Sequence, residues 1–441
     1  TGEGGILDSF NGVDRRIVLR STRIYHAIKM QLIEPLSLRS YYRQGFILEQ
    51  LGRAFLRYEK RPKYWRVFQA EAEAMACLDI PLFTIKCNEV HLNLMDGTVA
   101  EEYLEQSGTE LARSKFLDLG REQVDFQLNI IRGLIRARRL SINTYSPAYI
   151  SSKSSMRYPE PAARLNECKR IAEELMKASI REQDLPFWMA VDLGADSDKL
   201  CYGVLGPSLY SGHLGIALFI NSLGRALGQE GNFYVSESGR IINEYLDNMT
   251  DSEDRNFLMR WWRDQNPGLS GSGGAILSLC LFAKHNPGLA PRIDQAITSL
   301  INALTFDRLD EDMHLDIISG VAGLIGPLLM VHSERSIELA KKAGDRLVEM
   351  QETNGGWRVG NGKILTGFSH GAAGIIAALS RLYAATGSLR YANAAEKGLA
   401  FERSVYNAEM KNWPDLRYDS ANPKFAISWC HGAPGIALSR L

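Results

Sequence analysis

Short, strongly apolar runs recur along the second half of the chain, and each follows a pair of glycines. The runs IALFINSL, AILSLCLFA and IIAALSRLYA have the length of helices and are apolar on nearly all sides. A helix that is apolar all round is buried inside a protein. The pattern therefore predicts inner helices, and the segments between them predict an outer layer of amphipathic helices.

The glycines form a Gly-x-x-Gly motif at the start of each apolar run. Its five copies are SGHLG, SGSGG, SGVAG, HGAAG and HGAPG, whose first glycines are Gly212, Gly271, Gly320, Gly371 and Gly432. The motif recurs about every 50 to 60 residues, a period that fits two helices and their loops. Repeated pairs of one inner and one outer helix predict an α/α toroid or solenoid. The glycines permit either a tight turn or the close approach of a ligand, and the sequence leaves both interpretations open.

The first 140 residues have a different pattern, in which charged helical segments are interrupted by prolines. The β-branched, apolar run at residues 16–22 predicts a short strand. Residues 22–34 predict a helix that ends before Pro35, and residues 118–139 predict a further helix.

Residues 141–161 are rich in serine and proline, a composition typical of a linker. A helix-like segment, residues 162–182, follows it. We therefore assign residues 1–140 to a first domain, 141–184 to a linker and connecting helix, and 185–441 to the repeat domain. The expected fold class is mainly α, with a C-terminal α/α toroid after a helical domain that contains a short strand.

Composition excludes several classes of protein. Lys+Arg and Asp+Glu number 51 each, so no strong field favours nucleic acid or an anionic membrane. The longest apolar stretches, residues 273–283 and 320–331, are too short to span a bilayer. The six cysteines are scattered, without a CxxC pair, which favours a reducing, cytoplasmic setting over a disulfide scaffold. Because the chain begins at Thr1 and stops at Leu441 in an apolar run, we expect both ends to be cut.

Three of the repeated turns carry a reactive side chain: Asp316, His370 and Cys430. In an α/α ring the turns before the inner helices gather at one mouth, so these side chains are expected to converge. Asp, His and Cys are residue types that bind metals and transfer protons. Each alone has a structural explanation, as a capping Asp, a buried His or a buried Cys. Their matched placement in one repeated motif favours a shared site.

The sequences SWCHGAPGI, GFSHGAAGI and LDIISGVAG, with Gly-Gly-Trp upstream of the second, resemble the motifs of the lanthionine cyclase family. The resemblance implies an α/α toroid with a central zinc site. It also implies that Cys430 is a zinc ligand, that His370 is the catalytic acid/base and that Asp316 assists it.

The chain departs from this family in one respect. The family completes its zinc site with an adjacent Cys–His pair in a later repeat, and no such pair follows Cys430 here. His431 adjoins Cys430 but occupies a variable position of the motif, so we do not count it as a ligand. A single thiolate falls short of the coordination that zinc requires.

The sequences RRIVLRSTRIY and RPKYWRVFQAEAEAMACLDIPLF resemble the end of the dehydratase domain of class II lanthipeptide synthetases. The resemblance implies that this domain is kinase-like and that Arg16 and Thr22 belong to its phosphate-elimination motif. It also implies that the ATP- and Mg²⁺-binding residues lie upstream of Thr1. In an extended strand Arg16, Arg20 and Thr22 share one face and suit a phosphate. The alternative is a basic strand edge held by surface ion pairs.

The resemblances together imply a class II lanthipeptide synthetase. Such an enzyme dehydrates Ser and Thr of a precursor peptide, then adds Cys thiolates with the help of Zn²⁺. The expected partners are a ribosomally made precursor with its leader and an exporter complex, and the expected location is the cytoplasm. We expect the 441-residue chain alone to be inactive.

The sequence also allows two functions other than that of a lanthipeptide synthetase. One is a peptide-binding toroid without catalysis. The other is an α/α-barrel glycosidase with Asp316 as the acid, which ranks lower because no other repeated turn offers a second carboxylate.

Overall fold

The structure is a computed structural model with two compact units, Thr1–Ile131 and Arg132–Leu441. It describes residues 5–52, 62–142, 160–182, 184–193, 200–250, 259, 262–360, 362–418 and 423–441. Most of the predicted linker, at residues 143–159, lies outside the described residues. The predicted boundaries of the functional domains stay predictions.

The first unit combines helices with a small antiparallel sheet. Its helices are α1 (Thr22–Leu32), α2 (Pro35–Leu38), α3 (Tyr41–Gly52), α4 (Pro62–Ala76), α5 (Gly108–Leu117) and α6 (Arg121–Ile142), the last of which continues into the second unit. The sheet has the order β1 (Asp14–Ile17), β2 (Phe83–Lys86), β3 (Leu92–Asn93), β4 (Val99–Ala100). The predicted helices at residues 22–34 and 118–139 therefore correspond to α1 and α6.

The strand predicted at residues 16–22 is wrong in its extent. β1 ends at Ile17, and the next residues bend before α1 begins. The side chain of Ser21 accepts a hydrogen bond from the Arg23 amide and so caps α1. The strand therefore ends early, because the chain bends after Ile17 and prepares the helix cap at Ser21.

The second unit is built from helical hairpins. In chain order its helices are α7 (Pro161–Ala178), α8 (His213–Leu227), α9 (Asn232–Thr250), α10 (Ser272–His285), α11 (Ala290–Ala303), α12 (Phe306–Asp310), α13 (Ala322–Val331), α14 (Glu334–Glu349), α15 (Ala372–Thr386), α16 (Leu389–Ser404) and α17 (Ala433–Leu438). Its strands form the antiparallel pairs β5 (Ile180–Glu182) with β6 (Leu185–Phe187), β7 (Met189–Leu193) with β8 (Leu200–Val204), and β9 (Arg358–Val359) with β10 (Lys363–Ile364).

The hairpins form two layers, as the repeats predict. The inner helices α8, α10, α13, α15 and α17 pack against one another in that order. Each outer helix, α9, α11, α14 or α16, packs against the inner helix before it. All five Gly-x-x-Gly motifs lie where an inner helix begins. This arrangement confirms the predicted mainly α fold and its α/α toroid.

Burial follows the two predicted patterns. Residues 372–379, the first two turns of α15, are all buried, as expected of a helix that is apolar on every side. On α14 the buried residues include Ser336, Leu339, Ala343 and Leu347, spaced three or four residues apart. This spacing gives an amphipathic helix with one face toward the core.

The second glycine of each repeated motif lies against the main chain of its own turn. A Cβ atom at Gly215, Gly274, Gly323, Gly374 or Gly435 would lie between 1.7 and 2.1 Å from a backbone carbonyl oxygen a few residues earlier. No side chain fits at that distance. Close packing of the main chain accounts for these glycines without a ligand, which resolves one alternative that the sequence left open.

Among the described residues, no helix combines the length and apolar character needed to cross a membrane.

We expect Gly274→Ala to destabilise the helical unit by about 3 kcal/mol, because the new methyl group would lie 2.0 Å from the Leu269 carbonyl oxygen. Gly239→Ala in α9 is the matched control, since no heavy atom lies within 4 Å of the added Cβ. That variant should be neutral or more stable by up to about 1 kcal/mol. Urea unfolding followed by circular dichroism measures both, and equal stabilities would contradict the packing argument.

Candidate functional site

Backbone hydrogen bonds join four of the five repeated turns side by side. The Leu269 amide donates to the Ile317 carbonyl (3.0 Å), and the Ile317 amide donates to the Ser369 carbonyl (3.2 Å). The Ser369 amide donates in turn to the Cys430 carbonyl (3.4 Å). These turns therefore lie on one face of the repeat domain, and the residues beside them are brought together.

Asp316 lies in the turn before α13 and is almost fully buried. Its Oδ1 accepts hydrogen bonds from the amides of Ser319 (2.7 Å) and Gly320 (3.2 Å). These bonds fix the carboxylate within its own turn and leave Oδ2 directed at a neighbouring turn.

His370, in the next turn, forms a hydrogen bond with Asp316 Oδ2. Its Nδ1 lies 2.7 Å from Asp316 Oδ2, and 41% of its side chain is exposed. A carboxylate acceptor indicates that Nδ1 carries the proton. Among the described residues the His370 ring has no other hydrogen bond, so Nε2 is open to a ligand.

Cys430 lies in the fifth turn, next to Ser369 of the fourth turn. The Ser369 hydroxyl donates to the Cys430 carbonyl (3.2 Å), parallel to the amide bond described above. The Cys430 thiol is half-buried, 3.1 Å from the Ser428 hydroxyl. The structure therefore places Asp316, His370 and Cys430 in three adjacent turns.

A second set of titratable groups adjoins these residues, and of its members the sequence analysis considered only His431. The His431 ring stacks on the His370 ring, with centroids 6.2 Å apart and planes 29° apart. Burial and the nearby Arg417 guanidinium lower the pKa of His431. Arg417 forms a 2.6 Å ion pair with the buried Asp415. Burial alone would raise the pKa of Asp415, but the hydrogen bonds from Arg417 outweigh it and hold this pKa below its usual value.

The donors of the described residues do not make a complete zinc site. In the described part of the chain, no group of three or more His, Cys, Asp or Glu side chains is placed so that it could hold a metal ion. Cys430 offers one thiolate, and the adjacent His431 ring faces His370. A catalytic zinc takes three protein ligands. The donor chemistry at Cys430 suits zinc, but the set around it does not reach that number.

The histidine of the first repeated turn has a structural role. His213 Nδ1 lies 3.1 Å from the Gly206 carbonyl oxygen, and its Nε2 accepts from the Trp188 amide at 3.4 Å. Burial lowers the pKa of His213, which favours the neutral ring that these bonds require. Both nitrogens are therefore used within the fold.

In the first unit, Arg16 lies on β1 and Thr22 is the first residue of α1. Both side chains are exposed. Among the residues that the structure describes, the Arg16 side chain has no hydrogen bond and no ion pair, so its guanidinium group is available to a ligand. The structure assigns no role to either residue.

Arg20 does not share the face predicted for Arg16 and Thr22, because its side chain points inward to a buried carboxylate. It bonds to both carboxylate oxygens of the buried Glu71 at 2.9 and 3.0 Å. Tyr25 donates to the same carboxylate at 2.6 Å. The expected pair of phosphate-binding guanidinium groups is therefore wrong, since Arg20 neutralises a buried charge 51 residues away.

Two known protein families match parts of the chain. Residues 203–441 match the family model described as "Lanthionine synthetase C-like protein", and residues 1–86 match "Domain of unknown function (DUF4135)". No curated protein matches the chain. Among solved structures it is similar to "Nisin cyclase", at 16% sequence identity and a TM-score of 0.42, over 63% of this chain and 69% of that one.

The first of these models covers more than half of the chain. The chain therefore belongs to the lanthionine synthetase C-like protein family, and its two matched regions together are those of a class II lanthipeptide synthetase.

Proposed function

We propose that this lanthionine-forming enzyme closes thioether rings in a dehydrated precursor peptide, with His370 as the acid/base and Zn²⁺ as the cofactor. The observation that carries the proposal is the 2.7 Å hydrogen bond between His370 Nδ1 and Asp316 Oδ2. A carboxylate that accepts from one ring nitrogen fixes the tautomer and orientation of a histidine. The other nitrogen, Nε2, then exchanges protons with the substrate.

The reaction adds a Cys thiolate of the peptide to the β-carbon of a dehydrated Ser or Thr. As the C–S bond forms, the electrons of the double bond move toward the carbonyl group and give an enolate. His370 Nε2 first takes the proton that the substrate thiol releases, and Asp316 stabilises the imidazolium that this creates. The same nitrogen then returns the proton to the α-carbon of the enolate, and the neutral ring is restored. The product is lanthionine from a former serine or methyllanthionine from a former threonine.

We assign Cys430 as one protein ligand of the Zn²⁺ ion. Its turn is bonded to the turn of His370, and the Ser428 hydroxyl can donate to its thiolate. Cys430 would hold the ion together with ligands not assigned here, and a zinc bound there would supply the lowered thiol pKa that makes the substrate Cys a nucleophile. We assign no further ligand among the described residues.

We further propose that the first unit takes part in dehydration, in which Ser and Thr are phosphorylated with ATP and Mg²⁺ and the phosphate is eliminated. The available guanidinium group of Arg16 would stabilise the leaving phosphate. Thr22, at the N-terminus of α1, would help position the phosphorylated residue. We assign no residue here to ATP or Mg²⁺.

The proposed setting is the cytoplasm, where the precursor with its leader would be modified before export. No disulfide joins cysteines among the described residues, which supports a reducing compartment. An exporter complex is the partner proposed for the stage that follows.

In the full-length enzyme, His370→Asn should slow ring closure on the order of 10²-fold or more, because the enolate loses its proton donor. Dehydration should persist. Mass spectrometry of alkylated thiols over time measures ring closure in a peptide that is already dehydrated. His285→Asn is the matched control, at the exposed end of α10. A peptide-binding scaffold without catalysis would instead give equal rates for both variants and for buffer.

Cys430→Ala should weaken zinc binding on the order of 10²-fold, a share of the roughly 10–16 kcal/mol that the ligands of a zinc site contribute together. Competition with a chromophoric chelator measures the affinity, independently of activity. Cys280→Ala is the control, since burial raises the pKa of the Cys280 thiol to about 11 and disfavours its thiolate. Equal zinc affinity for the two variants would contradict the assignment of Cys430 as a zinc ligand.

Arg16→Ala should let phosphorylated peptide accumulate, because the departing phosphate loses a stabilising charge. The elimination rate is expected to fall on the order of 10²-fold. Arg15→Ala is the control, since neighbouring strand residues face opposite sides of the sheet. Mass spectrometry separates the outcomes, and unmodified peptide without any phosphorylated intermediate would contradict a role in elimination.

A further inference from the structure

A second buried carboxylate lies in the loop that carries Asp316. Asp312 precedes Asp316 by four residues and is 7% exposed. We call residues 312–321 the Asp316 loop. Neither the repeated motif nor the proposed chemistry uses Asp312, and a buried carboxylate needs a structural or functional reason.

The Asp312 side chain closes the Asp316 loop on itself. Its Oδ1 accepts from the His314 amide (3.1 Å), and its Oδ2 accepts from the amides of Leu315 (3.0 Å) and Val321 (2.9 Å). One carboxylate therefore joins the beginning of the loop to its end. Asp316 lies between the points that it joins.

The bonds from Asp312 also hold a costly backbone conformation. Leu315, the residue directly before Asp316, has a φ of +61° and is fully buried. A non-glycine residue in the left-handed region is strained and persists only where its surroundings fix it. The Asp312 carboxylate accepts the Leu315 amide itself, so it fixes the peptide that leads into Asp316.

An outer helix anchors the same residue from the other side. Arg346 on α14 donates to the Asp312 carbonyl oxygen from Nε (3.2 Å) and from Nη2 (3.0 Å). Asp312 is therefore bound at its main chain to the outer layer and at its side chain to the Asp316 loop. A shift of its carboxylate would move the loop relative to the neighbouring turn.

We propose that Asp312 is a positioning residue, which sets the place of Asp316 so that Oδ2 meets His370 Nδ1. Without the Asp312 carboxylate the Asp316 loop relaxes, and the 2.7 Å bond to His370 lengthens or breaks. The neutral ring then loses its preference for a proton on Nδ1. The kinetic consequence rests on the proposed function of His370 and Asp316, whereas the structural consequence does not.

The structural arm of the test uses the ring ¹⁵N chemical shifts of His370, which report the nitrogen that carries the proton. The chain has eight histidines, and the signals that disappear in the His370→Asn variant are those of His370. In Asp312→Ala the tautomer with the proton on Nε2 should gain population, and Asp312→Asn, which keeps one acceptor oxygen, should lie between Asp312→Ala and wild type. Ser336→Ala is the control, because it removes a buried side chain from the N-terminus of α14 without touching the Asp316 loop. Unchanged shifts in folded Asp312→Ala or Asp312→Asn would overturn the proposal.

The kinetic arm uses the full-length enzyme and a dehydrated peptide. Asp312→Ala should lower kcat for ring closure on the order of 10²-fold with little change in KM, as misplacement of a catalytic group by about 1 Å does. In an Asp316→Asn background the same change should have little further effect, because Asp312 acts through Asp316. An equal further loss in that background would overturn the proposal. Altered His370 shifts with unchanged ring closure would instead uphold the positioning role and overturn the catalytic assignment of His370.

Discussion

The hydrogen bonds between the main chains of successive turns are the constraint on which the site depends. They run from Leu269 to Ile317, from Ile317 to Ser369 and from Ser369 to Cys430. Each repeat contributes one inner helix. The backbone bond to the next repeat fixes the position of that repeat's turn beside its own. Residues 48–61 apart in the chain thereby become neighbours, without a sheet or a disulfide to hold them.

Packing within each turn explains the second glycines, and the bonds between turns explain how the reactive residues become neighbours. Within each turn the main chain folds back so closely that a Cβ at the second glycine would meet a carbonyl oxygen of the same turn. The reactive side chains stand at other positions of the turns, where Asp316, His370 and Cys430 lie. Since the backbone fixes the turns, Asp316 can bind two amides of its own turn and still present one oxygen to His370.

The sequence predicted much of the fold, because repeats and apolar helices leave a periodic pattern. It also predicted that the turns of Asp316, His370 and Cys430 would be neighbours, since equivalent positions of a repeat lie at the same end of the domain. It did not predict the pairing of Arg20 with Glu71, because a buried ion pair between distant residues leaves no local pattern. Asp312 was missed for a related reason: its partners are backbone amides, and any sequence provides those.

The account is tested most directly by amide hydrogen exchange at Ile317 and Ser369, followed by NMR or by mass spectrometry of peptides. Both amides donate to the carbonyl of the next turn, so we expect them to exchange slowly and with closely similar opening free energies. Such values would mean that the turns open together, as one hydrogen-bonded unit. Exchange of either amide at the rate of an unprotected loop would contradict the claim that these bonds hold the site together.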